Sequence, residues 1–192
     1  MWDIDLGLQE QHAFVQEWPL ERLKSLSLVE YTNLEKSTAF IYWLEKRTEN
    51  AGSIWGGSAY KFGIYKRRNL ERFADLSLVR TDGEYGWLVK YGNTKEEAFQ
   101  QVRVSLFQVA SSSISNQLEA IDAVDFGNAV KWKIAYLYNP EQVIPIFNAD
   151  ILRRAAEGLG YVAQQDESVS AMHRFLLSKK PMDQSTIAFA CA

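Results

Sequence analysis

Residues 76–112 have the sequence LSLVRTDGEYGWLVKYGNTKEEAFQQVRVSLFQVASS, which changes from strand-forming to helix-forming residues within a few positions. Residues 76–80 and 85–91 are rich in β-branched and aromatic residues, which favour a pleated surface. The Asp82-Gly83 pair between them is a strong hairpin signal, since a two-residue hairpin turn needs residues that tolerate positive φ. The first part of this stretch therefore predicts two antiparallel strands.

The second part of the stretch predicts a helix. Asn93 or Thr94 can accept a backbone N–H at the helix start, and a glutamate three residues further on can reach back to the cap. Apolar residues at helical spacing continue to about Ser112. We expect a long amphipathic helix directly after the hairpin.

Further strands and helices are predicted on both sides of this stretch. Residues 59–67 (AYKFGIYKR) and 131–138 (KWKIAYLY) alternate in a way that favours strands. The predicted helices are short N-terminal ones around Leu20 to Leu28, one from Asn33 or Ser37 to about Arg47, one from Asn148 through Ala156, and a last one from Ser168 to Leu177. The fold class is therefore α+β, with a small, mostly antiparallel sheet flanked by N- and C-terminal helices.

The 192 residues are 47% hydrophobic and carry 21 lysines and arginines against 24 acidic residues, as in ordinary globular domains. No linker rich in proline, glycine and serine divides the chain, so residues 1–180 are predicted to form one domain. We expect the tail from Pro181 to Ala192 to be loosely attached.

Several function classes lack their sequence signatures. Cys191 has no second cysteine to pair with, and the two histidines, His12 and His173, are far apart in sequence. There is no P-loop, zinc-protease motif, nucleophile elbow or dinucleotide fingerprint, and no apolar run long enough for a bilayer. We therefore expect a cytoplasmic protein that has no membrane segment, binds no metal or cofactor and is not itself an enzyme. A nuclease with carboxylates gathered from distant segments is a remaining alternative.

The charge is distributed unevenly along the chain. Residues 1–44 contain seven acids and three bases, whereas residues 59–72 contain five bases and one acid. Aromatic residues interleave with these bases, and a Gly-Gly-Ser turn precedes them, which together could supply phosphate contacts and base stacking. The candidate contact residues are Trp55, Gly56, Gly57, Ser58, Tyr60, Lys61, Lys66, Arg67, Arg68 and Arg72.

Each of these features also has a simpler interpretation. Phe62 and Ile64 could be core residues with the bases on a solvated strand end, and a Gly-Gly pair is often only a turn. His173 lies among apolar residues, which is typical of the edge of a core. Trp55, flanked by glycine and serine, is the tryptophan that we expect to be exposed, whereas Trp43, Trp87 and Trp132 belong to apolar stripes.

Three blocks of the sequence resemble the region ahead of the motor domain in McrB-like AAA+ restriction proteins. They are EYT at 30–32 with FIYWLE at 40–45, GSIWGGSAYKFGIYKR at 52–67 and KWKIAYLY at 131–138, with YGNT at 91–94 between them. Their order extends the likeness over about residues 25–180. The resemblance implies a targeting module that recognises modified or site-specific DNA, with GTP or ATP hydrolysis in an AAA+ motor and cleavage in a McrC-like nuclease subunit. This sequence has no Walker motif, so it resembles a free-standing copy or an excised domain.

The residues and the resemblance together predict a DNA-binding specificity module. The bases from Lys61 to Arg72 would hold the DNA backbone, and the loop from Trp55 to Tyr60 would stack on a base, including one extruded from the duplex. The alternative is a protein-protein docking module of a defence complex that does not contact DNA. The acidic N-terminal third and the near-neutral overall charge favour that alternative.

Overall fold

The computed structural model describes residues 3–35, 37–68, 77–162 and 167–191. The fold is α+β, with a three-stranded antiparallel sheet and helices on both sides of it. The strands are β1 (Ile64–Lys66), β2 (Val79–Thr81) and β3 (Tyr85–Leu88). The α-helices in the described ranges are α1 (Ile4–Glu17), α2 (Leu20–Lys24), α3 (Leu28–Tyr31), α4 (Phe40–Tyr42), α5 (Lys95–Ile114), α6 (Leu118–Asp122), α7 (Asn128–Tyr138), α8 (Ala149–Gly158), α9 (Val169–Lys179) and α10 (Thr186–Ala190).

Helix α5 is the central element of the fold. The Thr94 side chain accepts from the Glu97 backbone N–H, and the Glu97 carboxylate accepts in return from the backbone N–H of Thr94, which forms the predicted capping box. The helix packs against α2, α6, α7 and the sheet. Its buried apolar stripe includes Val102, Leu106 and Val109, so one helix joins the sheet to the helical layer.

The prediction of a strand at 131–138 is wrong, because these residues form most of α7. Residues from Val130 to Leu137 are all buried, so apolar side chains point in every direction and the helical period disappears from the sequence. The two lysines that gave the appearance of alternation are also buried. Lys131 Nζ donates to the carbonyls of Asp122 and Val124, and Lys133 Nζ donates to the carbonyl of Thr48.

The sheet has the order β1-β3-β2 and both pairings are antiparallel. The predicted hairpin between β2 and β3 is present, with Gly83 at φ 96° and the Asp82 carboxylate accepting from the backbone N–H groups of Glu84 and Tyr85. The strands are shorter than predicted. Residues 89–91 turn into a 3-10 helix, and the described part of the first hairpin strand begins at Val79.

The prediction of one strand over residues 59–67 is also wrong in its first half. Ala59–Phe62 is a 3-10 helix, and β1 begins only after Gly63. Gly63 has φ 79°, and a Cβ on it would lie 2.6 Å from the Val102 side chain. The chain therefore reverses its local geometry at this glycine, which a continuous strand could not do.

The helix that was predicted to start at Asn33 or Ser37 begins later, at Phe40. It is a single turn, α4, and the chain continues as a π-helical turn at Trp43–Arg47. The hydroxyl of Thr48 donates to the carbonyls of Trp43 and Leu44 and so closes this turn. The turn brings residues 45–47 next to the loop at 54–57.

The C-terminal helices form a second, smaller apolar cluster beside the main core. Asn148 caps α8 and Ser168 caps α9, as predicted. The segment 181–192, expected to be loosely attached, instead contains α10 within its described part. The Ile187 side chain is fully buried, and the Thr186 hydroxyl donates to the carbonyl of Pro140 at 2.6 Å. The composition of this segment did not predict the packing, because it depends on one buried side chain, Ile187, and on one hydrogen bond to a distant residue.

Among the described residues, no helix combines the length and the apolar composition that a membrane crossing would require.

Candidate nucleic-acid interface

An open groove of about 480 Å³ lies where the π-helical turn, the loop at 54–57 and the start of β1 meet. We call this the Trp55 groove. The sequence-predicted residues that line it are Trp55, Gly56, Gly57, Lys61, Lys66 and Arg68. The structure thus brings six of the ten predicted contact residues to one concave surface.

Among the described residues, Trp55 has the most exposed aromatic side chain, with 69% of its surface accessible. Gly56 and Gly57 follow it with φ of 95° and 73°, and no atom lies within 4 Å of where a Cβ would stand on either. The Trp55 backbone N–H donates to the Ser53 hydroxyl at 3.1 Å. The exposed position expected for Trp55 is confirmed, and the two glycines form a left-handed turn in open space.

Lys61 has a different role from the predicted phosphate contact. Its ammonium pairs with Glu45 at 2.6 Å and donates to the carbonyls of Ile54 at 2.6 Å and Gly56 at 2.8 Å. These carbonyls belong to the residues on either side of Trp55. Since an ammonium has three N–H donors, all three are accounted for by protein oxygens. Lys61 therefore links residues 54–57, which we call the Trp55 turn, to the π-helical turn.

The π-helical turn places a further cation, Lys46, next to Trp55, and the sequence analysis did not single this residue out. Lys46 Nζ lies over the Trp55 ring, 4.9 Å from its centroid. Arg47 stacks in the same manner over Trp43, at 4.6 Å. Cation–π contacts of this kind are attractive and orient the ring. The charged run at 45–47 is the signal in the sequence, but its closeness to Trp55 depends on the tertiary fold.

Lys66 and Arg67 lie at the end of β1 and face the β2–β3 hairpin. Lys66 Nζ pairs with Glu84 at 2.9 Å, and this hydrogen bond raises the pKa of the lysine. The Arg67 guanidinium donates to the Thr81 hydroxyl at 3.0 Å and to the Gly83 carbonyl at 3.4 Å. Both side chains thus stabilise the hairpin. Lys66 also lines the Trp55 groove, and its backbone N–H donates to the hydroxyl of Thr32, another lining residue.

Arg68 is exposed and lines the Trp55 groove. In the described ranges it makes no hydrogen bond or ion pair with a protein acceptor. A guanidinium in this position can bind a phosphate with two parallel hydrogen bonds. Arg72, the last predicted contact, lies outside the described residues.

The apolar and hydroxyl lining of the groove comes from residues that sequence reasoning missed or assigned to the core. Ile41 and Phe62 form apolar lining, and Thr32 contributes its hydroxyl. Tyr65 lies edge to face with Tyr60 at 5.3 Å between ring centroids, and burial raises the pKa of its hydroxyl. The groove is therefore a mixed surface of aromatic, apolar and cationic groups, which is typical of a binding site for a partly apolar, anionic ligand.

Two carboxylates limit the positive charge of this surface. Glu45 is neutralised by Lys61 and Glu84 by Lys66. Among the described residues, Arg68, which lines the groove, and Lys46, which lies over the Trp55 ring, have no ion pair with a carboxylate. In the part of the chain that the structure describes, no group of three histidine, cysteine or acidic residues is placed to hold a metal ion.

His173 belongs to the core. It is fully buried, its Nδ1 accepts from the Ile144 backbone N–H at 3.3 Å, and its ring lies 4.6 Å from that of Trp132. Burial lowers its pKa to about 3. Trp87 and Trp132 are buried and Trp43 is partly buried, as predicted.

No family model, no curated protein and no solved structure matches this chain.

Proposed function

We propose that this chain is a DNA-binding specificity module and that the Trp55 groove is its contact surface. The observation that supports the proposal most is the exposed indole of Trp55, fastened in place beside cationic side chains. The indole is exposed at a concave surface that also carries apolar and cationic side chains, and this combination, rather than exposure alone, is typical of a binding site. The ligand class follows from the neighbouring groups.

Phosphate and base contacts divide between different residues in this proposal. Arg68 and Lys46 supply the charges for the phosphate backbone, while Trp55 supplies a stacking face. Lys61, predicted as a backbone contact, supports the Trp55 turn instead. Lys66 and Arg67 support the hairpin side of the groove, Lys66 through its ion pair with Glu84 and Arg67 through its hydrogen bonds to Thr81 and Gly83.

The resemblance to McrB-like proteins extends the proposal to partners. An AAA+ motor and a McrC-like nuclease would act with this module, and modified cytosine would be among the bases that it distinguishes. These partners are proposed from the resemblance of residues 30–32, 40–45, 52–67 and 131–138 alone. The DNA-binding part of the proposal can be tested without them.

The test is fluorescence anisotropy of the purified chain with matched duplexes that contain unmodified, methylated or hydroxymethylated cytosine, and with the corresponding single strands, at about 50 and about 200 mM salt. We expect binding that weakens with salt. Arg68→Glu should weaken binding to every probe, because it reverses an exposed charge that has no ion pair with any described residue. Lys179→Glu changes an exposed cation on α9, away from the groove, and is the matched control.

Two results would contradict the proposal. The first is an absence of binding to single-stranded and duplex DNA at 50 mM salt. The second is binding that Arg68→Glu and Lys179→Glu reduce equally, since DNA would then respond only to net charge. Either result would favour the protein-docking module.

A further inference from the structure

The Trp55 turn is built as a rigid platform. Lys61 holds the carbonyls on both sides of Trp55, and Ser53 accepts from its backbone N–H. Lys46 lies over the indole ring. The side chain is still 69% exposed, so a planar ligand can reach the ring. A platform that is ordered before binding loses little conformational entropy when a base stacks on it.

The shape of the surface does not suit the reading of an intact duplex. Proteins read base edges in the major groove with a protruding helix or a two-stranded ribbon. The Trp55 groove is concave and has a volume of about 480 Å³. The β2–β3 hairpin beside it carries two carboxylates, Glu84 paired with Lys66 of β1 and Asp82 paired with Lys95 of α5, and one exposed cation, Arg80, and thus presents little net positive charge.

The bases of an intact duplex are also unavailable to Trp55, because each is already stacked between its neighbours. An exposed aromatic ring next to a cation suits a strand whose bases are free to unstack. Arg68 and Lys46 can hold the phosphates that flank such a base. Few cations are needed for this, which agrees with a groove in which Glu45 and Glu84 neutralise two lysines.

We propose that the Trp55 groove takes unpaired DNA, with one base stacked on Trp55, in preference to intact duplex. The inference rests on the proposed DNA-binding function and narrows its substrate class. It places Trp55 as the affinity-determining contact for single strands.

The test compares three probes that contain the same 12-nucleotide sequence by fluorescence anisotropy at about 50 mM salt. They are the labelled single strand, its blunt duplex, and a longer duplex in which four positions at the centre of this sequence are unpaired. We expect the single strand and the bubble to bind at least tenfold more tightly than the duplex. Trp55→Ala should lower their affinity by about five- to hundredfold, the loss that removal of one stacking aromatic causes. Trp55→Phe should restore part of it.

The possible failures are distinguishable. Equal or tighter binding of the intact duplex would overturn this inference while leaving the proposed DNA binding in place. Single-strand binding that Trp55→Ala leaves unchanged would overturn the stacking role in the same way. No binding of any probe would overturn the proposed function together with this inference. Since Trp55 is exposed, its variants are expected to fold, and circular dichroism of each variant checks this.

Discussion

Replacement of Lys133 by methionine should make the folded chain more stable at neutral pH. The Lys133 side chain is fully buried in α7, and its Nζ donates to the Thr48 carbonyl at 2.8 Å. Burial lowers the pKa of this lysine from 10.5 to about 7, although the carboxylates of Glu10, Glu49 and Glu45 act in the opposite direction. Removal of an ammonium from water explains the sign, since burial disfavours the charged form.

The magnitude follows from proton linkage. Between pH 7 and 10.5 the lysine is protonated in the unfolded chain and mostly neutral in the folded one, so the unfolded state binds more protons and stability rises with pH. The two pKa values differ by about 3.5, and each unit corresponds to about 1.4 kcal/mol, which gives an upper value of about 5 kcal/mol over this range. Above pH 10.5 the lysine is neutral in both states, so its burial carries no titration cost. As the pH falls from 10.5 to 7, this cost grows to its full value and the folded chain becomes less stable.

Methionine removes this pH dependence but leaves the Thr48 carbonyl without its donor, which costs about 1–3 kcal/mol. We therefore expect Lys133→Met to unfold with a free energy about 2–4 kcal/mol higher than the parent at pH 7. By pH 10.5 the variant should be the less stable of the two. Urea denaturation at several pH values measures both curves, and their difference cancels the titration of every group that the two proteins share.

Lys179→Met, at an exposed position on α9, is the matched control and should follow the parent. Parallel Lys133→Met and parent curves from pH 7 to 10.5 would show that burial does not lower the pKa of Lys133 as described. A variant less stable than the parent at pH 7 would show the same, since the lysine would then be favourably charged in the fold.

Three further predictions concern the core, the helix cap and the sheet. Burial lowers the pKa of His173 from 6.5 to about 3, so between these pH values the histidine is protonated in the unfolded chain and neutral in the folded one. The free energy of unfolding therefore decreases as the pH falls from 6.5 to 3. In the His173→Leu variant this decrease should be smaller, as measured by urea denaturation at several pH values. Thr94→Ala removes the capping box of α5 and should lower the free energy of unfolding by about 1 kcal/mol, whereas an effect near zero would mean that the cap frays. Gly86→Ala would place a Cβ 2.9 Å from the Tyr65 hydroxyl, and we expect a loss of about 1–3 kcal/mol that Tyr65→Phe partly relieves; an undiminished loss in the double variant would place the strain elsewhere.

The parts of the fold that local interactions determine were predictable from the sequence. The capping box at Thr94 and the turn at Asp82-Gly83 both satisfy backbone groups with side chains two or three residues away. Their signals are therefore contained in a few consecutive residues. The exposure of Trp55 was also predicted, but its glycine-rich neighbourhood does not determine it, since Trp87 also lies next to a glycine and is buried.

The parts that depend on tertiary contacts were not predictable. Residues 131–138 look like a strand because α7 is buried on all sides, and the carbonyls that receive Lys131 and Lys133 belong to other segments. Lys61 looked like a phosphate contact because its partner Glu45 is 16 residues away and is brought near only by the π-helical turn. A pairing of this kind leaves no periodic pattern in the sequence.

Hydrogen exchange measured by mass spectrometry locates the surface of the chain that binds nucleic acid and so tests the assignment to the Trp55 groove. The chain is compared with and without a saturating 12-nucleotide DNA strand at about 50 mM salt. We predict slower exchange at residues 53–68, which carry Trp55, Lys61 and Arg68, and unchanged exchange in α8 and α9. Protection centred on α8 and α9, or no protection anywhere under conditions where anisotropy reports binding, would contradict the account.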